Sequence, residues 1–133
     1  MNAVTVDIKD ILEGESKLGL VFTDNLFIGQ EPTSPANCVT IFDRPSSPPQ
    51  LNYDRFEIYE YPSIQIRCRN TSYVNAEAEA RAIYLFLHGL TTEINHTLYA
   101  LIKCIQTPVL LDWDENNRAR FIVNFEIQRR PTN

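Results

Sequence analysis

The stretch "YPSIQIRCRNTSYVNAEAEARAIYLFLHGL", residues 61–90, changes its hydrophobic period once, from two residues to about 3.6, and that change decides the fold. In its first part Ile64, Ile66 and Cys68 alternate with Gln65, Arg67 and Arg69, the pattern of a strand with one dry face. In its second part Ala76, Ala80, Ile83, Tyr84, Leu87 and Leu90 recur along one side of a helix from about Tyr73 to His88. Ser72 is placed to cap the first turn and Gly89 to end the last. The early alanines let the helix lie close to a sheet. Glu77 and Arg81 stand four residues apart on the outer side, where a pair adds only a few tenths of a kcal/mol.

Downstream, Leu98 to Ile105, Val109 to Trp113 and Arg118 to Gln128 read as strands. In the last of them Phe121, Val123, Phe125 and Ile127 share one phase, a core face, and Arg120, Asn124, Glu126 and Gln128 share the other. The alternate acids Asp112 and Asp114 with Asn116 imitate the start of a calcium loop. Such a loop needs Gly at its sixth position and Glu at its twelfth, where this chain has Asn117 and Val123. The stretch therefore reads as a hairpin turn, since Asp and Asn bond their own main chain and accept left-handed backbone.

Upstream, Val4, Ile8, Ile11 and Leu12 mark an amphipathic helix over about residues 4–14, with Asp7, Asp10, Glu13 and Glu15 on a solvated acidic face. Leu20 to Phe22 and Leu26 to Ile28, parted by Thr23, Asp24 and Asn25, read as a hairpin or kinked strand. A strand from Cys38 to Phe42 follows, and in another run Phe56 and Ile58 share a phase ahead of Pro62. The expected fold is α+β: a mainly antiparallel sheet with helices packed on one face, in a single domain over residues 1–133. Ile64, Ile66, Ile83, Leu87, Phe121, Val123 and Phe125 should share its core.

The prolines of "DRPSSPPQ", residues 43–50, bar that stretch from helix and from central strand. The segment Asp43 to Asp54 is long for an idle loop, and loops of this kind carry function on a rigid scaffold. Arg44, Pro45, Pro48 and Tyr53 in it, with the single Trp113, are the candidate interface residues.

No nucleotide loop, nucleophile elbow, zinc-protease helix or dinucleotide fingerprint occurs among only four glycines, so neither catalytic residues nor a cofactor are expected. Cys38, Cys68 and Cys104 are widely spaced and read as buried hydrophobes, not as a disulfide or metal set. His88, in the last turn of its helix, reads as structural. The N-terminus lacks a signal peptide's basic and apolar run, and no stretch is long and apolar enough for a membrane span, which points to a protein made in the cytoplasm. Net charge −5, from 17 acids against 12 bases, opposes a nucleic-acid reader. Arg67, Arg69, Arg118, Arg120, Arg129 and Arg130 form a local positive strip if the outer strand ends adjoin.

Three stretches, "NLFIGQEPTSPANCVTIFD" (25–43), "YEYPSIQIRCRNTSYVNAEAEARAIYLFLHGL" (59–90) and "PVLLDWDENNRARFIVNFEIQRR" (108–130), read together in this order. They resemble the bacteriophage minor capsid and tail terminator (tail completion) family, small proteins at the joint between tail and head. The resemblance runs from about Leu20 to Arg130. It departs at Arg44 to Gln50, where serines and prolines replace the glycines common in the family. It implies a structural virion protein that assembles as a homo-oligomeric, hexameric ring on the head-proximal end of the tail tube. Such a ring stops tube polymerisation, meets the head-completion or connector protein of the neck, and lets DNA pass its channel without specific binding. Assembly in the host cytoplasm and a place at the tail–neck junction follow, with no membrane partner. Under this reading the proline loop reaches a neighbouring subunit or the tube. Two other classes compete: a small ligand-binding or regulatory α+β domain, and a nucleic-acid-binding accessory protein that rests on the arginine strip.

Overall fold

The computed structural model describes residues 1–48 and 58–132. Six strands form one sheet: β1 (Leu26–Ile28), β2 (Cys38–Arg44), β3 (Ser63–Asn70), β4 (Thr92–Ile94), β5 (Thr97–Trp113) and β6 (Ala119–Pro131), in the order β1-β2-β3-β6-β5-β4. Helices α1 (Val4–Glu13) and α2 (Tyr73–Leu87) complete an α+β domain, and every strand pair but β1–β2 is antiparallel.

Register explains the core. Ile41 lies opposite Ile66 and Ile66 opposite Val123, while Ile64 meets Phe125 and Cys68 meets Phe121. These side chains point to one face and form a single buried cluster with Ile8, Leu12, Ala76, Ala80, Ile83 and Leu87 from both helices. All seven expected core residues belong to it. Each fully buried Ile, Leu or Phe contributes about 1.5–3 kcal/mol through its transfer from water. Ala76 and Ala80, with no exposed surface, are what let α2 lie flat on β3, β5 and β6.

Both helices begin and end as the sequence predicts, within a residue. The hydroxyl of Ser72 accepts the Asn75 amide at 3.3 Å, and Gly89 takes a left-handed φ of 84°, which a side chain would strain. The Arg81 guanidinium meets Glu77 at 2.7 Å on the outer side.

The structure differs from the sequence reading in six places. Leu20 to Phe22 is not a strand: the amides of Asp24, Asn25 and Leu26 all turn back to the Val21 carbonyl, and β1 pairs in parallel with β2, so no hairpin forms there. Leu98 to Ile105 and Val109 to Trp113 are one 17-residue strand, because irregularities between Cys104 and Val109 absorb Pro108 without breaking the pairing with β6. The short strand β4, too brief to show a period, was not expected. Asp7 does not join a solvated face: it is fully buried. Ile58, read as strand, is an exposed bend, and Asp43 and Arg44, read as loop, continue β2 opposite Ile64 and Ser63, because the first proline comes only at residue 45. Phe56, read as strand, lies outside the described residues.

Candidate assembly surface

The β5–β6 hairpin closes through its acidic turn as the sequence predicts. Asp114 Oδ1 accepts the amides of Asn116 and Arg118 at 3.0 and 2.9 Å, its Oδ2 accepts Arg118 Nε at 2.7 Å, and Asn117 takes a left-handed φ of 61°. Burial opposes ionisation of Asp114, but the Arg118 and Asn116 donors outweigh it and hold the carboxyl below its ordinary value. The carboxylate's acceptor capacity is thus spent on its own turn.

Of the six arginines of the expected strip, Arg69, Arg118, Arg120 and Arg129 enter two ion-paired clusters, whereas Arg67 donates to Gln65 and Arg130 to the Pro131 carbonyl. Arg69 and Arg120 are cross-strand partners that share Glu31 Oε1, at 3.4 and 2.8 Å, and Arg120 also meets Asp112 at 2.9 Å. Arg69 donates to the carbonyls of Pro35 and Ala36, and Arg118 to that of Thr33, so the guanidinia staple the 31–37 connection to the hairpin. At the other end Arg129 meets Glu60 at 2.9 Å and the Tyr99 hydroxyl at 3.1 Å, beside buried Asp7. Arg67 lies over the Phe42 ring, 4.6 Å from its centroid. The positive strip fails because acids distant in sequence, Glu31 and Glu60, fold back onto it.

The candidate interface residues do not converge. Arg44, at the end of β2, donates to the Ser63 hydroxyl at 2.8 Å, and an open cleft of about 340 Å³ lies between Arg44, Pro45, Tyr61, Ile105 and Glu126. Pro45 and Pro48 are exposed, and Tyr53 lies outside the described residues. Trp113 sits at the opposite end of the sheet: Ser63 and Asn70, which neighbour the two sites, bracket β3, roughly 23 Å of strand. Its ring, 45% exposed, stacks on Tyr73 with centroids 6.3 Å apart, and Tyr73 in turn meets the edge of Phe121.

Sequence reasoning missed the larger surface on β5. Leu101, Ile105, Val109 and Leu111 are each about two-fifths exposed. Leu101 pairs with Gln128 and Val109 with Ile122, which places both on the face away from the helices, and Ile105 opens to the Arg44 cleft on that same side. β5 also has a free edge. The chain from His88 to Thr91 covers it at Ala100, Ile102 and Cys104, and β4 covers only Thr97 to Tyr99. From Ile105 to Trp113 no strand among the described residues pairs with it. The signal existed in the sequence, since β5 carries apolar residues in both phases, one phase more than a single core face can bury.

Cys104 Sγ donates to the Gln106 carbonyl at 3.2 Å and not to His88. Burial pushes the Cys68 thiol well up and raises those of Cys38 and Cys104. His88 Nδ1 accepts the Cys104 amide at 2.9 Å, a strand-edge contact.

Comparison with curated proteins yields no match. A family model described as bacteriophage tail terminator protein matches residues 3–130, both helices and the sheet but for Pro131, with the surface just described, and the chain belongs to that family.

Proposed function

We propose that this virion protein closes the head-proximal end of the tail tube as a hexameric ring, stops tube polymerisation and presents a surface to the head-completion or connector protein of the neck. The observation that carries the reading is the β5–β6 hairpin of a tail terminator: a free edge from Ile105 to Trp113 bearing exposed apolar side chains. Pro108 and the bulges around it interrupt the edge for backbone pairing, so what it offers another chain is the packing surface of Leu101, Ile105, Val109 and Leu111. Work by shape and interface burial, not catalysis, fits a Cys68 thiol held protonated by burial and the guanidinia of Arg69, Arg118, Arg120 and Arg129 spent on internal acids. Net charge −5 favours a channel that DNA crosses without being held. The proline loop beyond Arg44 supplies a second contact, to a neighbouring subunit or the tube.

Electron microscopy of particles assembled without the protein tests this. The expected result is tails of irregular, extended length without heads; tails of normal length joined to heads would contradict it.

A further inference from the structure

Among the described residues every acid that is at least partly buried has a donor of its own, from Asp7 with Tyr99 and Asn95 to Asp114 with Arg118, except Glu79 on α2. Glu79 is half-buried and meets no donor among those residues. Burial alone raises its carboxyl above the ordinary value, with no bond to offset it. A carboxylate drawn in from solvent costs free energy until a group of opposite sign joins it.

Glu79 lines a narrow cleft of about 180 Å³ between α2, the 18–25 turn and the Cys38 and Asn70 ends of β2 and β3. The volume falls below the roughly 300 Å³ at which sites for cofactors and drug-sized ligands begin, and suits one side chain. Leu18, Leu20 and Ala76 give it apolar walls, fit for a run of methylenes. Asn37 and Asn70 spend their oxygens on the amides of Thr71 and Ser72 at 3.1 and 2.8 Å, and the one carboxylate left is too few for a metal that wants six or more oxygens. The NH2 groups of the two asparagines have no acceptor among the described residues and suit the main-chain carbonyls of an incoming polypeptide. The Arg69 guanidinium is taken by Glu31 and by the carbonyls of Pro35 and Ala36, so it leaves Glu79 its charge. The proline loop leaves the sheet at the other end of β2, roughly 20 Å of strand away.

We propose that this cleft is a socket for one lysine or arginine side chain carried by another protein chain, its methylenes against Leu18, Leu20 and Ala76 and its cation against Glu79. The inference rests on the assembly reading above for the presence of a partner chain and adds a charged contact to it.

Two measurements test it. In the first, n-butylammonium and methylguanidinium chlorides stand in for the two side chains, against sodium chloride at equal ionic strength. NMR of the Ala76 and Cys68 amides should show a saturable shift with either organic cation, and Glu79→Gln should bind at least about tenfold more weakly. The variant should melt no lower than the parent, because it removes an unpaired charge, so the loss cannot come from unfolding. No saturable shift, or an equal one in Glu79→Gln, would overturn the socket. The second measurement adds protein back to particles assembled without it. Glu79→Gln should need at least about tenfold more protein than the parent to restore capped tails joined to heads. If the organic cations bind but the variant restores joining like the parent, the cleft takes free cations and not a partner's side chain; this inference then falls and the ring reading stands. If the parent itself restores nothing, the proposed function falls, and the cation titration alone decides the socket.

Discussion

The Tyr99 hydroxyl donates to the carboxylate of Asp7, a partner 92 residues away and fully buried, and this contact ties the first helix to the long strand of the hairpin. Asn95 adds a second donor to Asp7 at 2.8 Å, and Arg129 stands 3.7 Å off. Removing the carboxylate strands several buried donors at once. Asp7→Ala should therefore cost about 3–5 kcal/mol, and Tyr99→Phe less, about 1–3 kcal/mol, since Asp7 keeps its other donors. Urea unfolding of both variants checks the order; equal costs would contradict it.

The same contact sets an alkaline limit. Burial, and next the bond to Asp7, raise the Tyr99 hydroxyl above its ordinary value near 10. The folded protein keeps a proton that the unfolded chain releases. This contribution is complete below about pH 10 and declines as pH rises above it. Urea midpoints measured between about pH 9 and 11 should fall for the parent chain and fall less steeply for Tyr99→Phe.

At the hairpin tip the sign reverses. Asp114 has a carboxyl held below its ordinary value by Arg118 and Asn116, so its contribution is present above about pH 4 and is lost as pH drops through the folded value. Asp114→Ala should destabilise by about 1–2 kcal/mol at neutral pH and by less near pH 2. Because the carboxylate serves the turn, melting with millimolar calcium or with chelator should be the same. A calcium-dependent rise of several degrees would contradict the turn assignment.

Phe125 lies opposite Ile64 and Cys104 with no exposed surface. Phe125→Ala should cost about 3–5 kcal/mol. A loss below about 1 kcal/mol in urea unfolding would mean the core face of β6 is misassigned.

Most of the fold was legible because its elements are periodic. Residues 61–90 show strand and helix in succession, and Phe121 to Ile127 show the face that α2 covers. Illegible were features made by long-range pairing. Nothing near Asp7 announces Tyr99, and nothing near Arg120 announces Glu31, so a buried acid read as solvated and paired arginines read as a free strip. Trp113 was recognisable by its rarity, and its side chain is half-exposed on the ring of Tyr73. The rest of the β5 surface was signalled by apolar residues in both phases, but bulges shift which of them share a face, so periodicity did not say which stay exposed.

The proline loop gives a separate check of the proposed role. Deleting residues 45–50 should leave circular dichroism and melting close to the parent, since the sheet register is carried by β2, β3 and β6. Tail capping should be abolished. Tails that end normally with the shortened protein would show that the loop is dispensable.

Growth of purified tail tubes in the presence of the protein tests the central claim most directly, with length followed by electron microscopy and the mass at the tube end by native mass spectrometry. The account predicts tubes that stop growing and carry a closed ring of this chain at one end only. Tubes that lengthen at the same rate with and without the protein, or that bind it along their sides and not at an end, would contradict it.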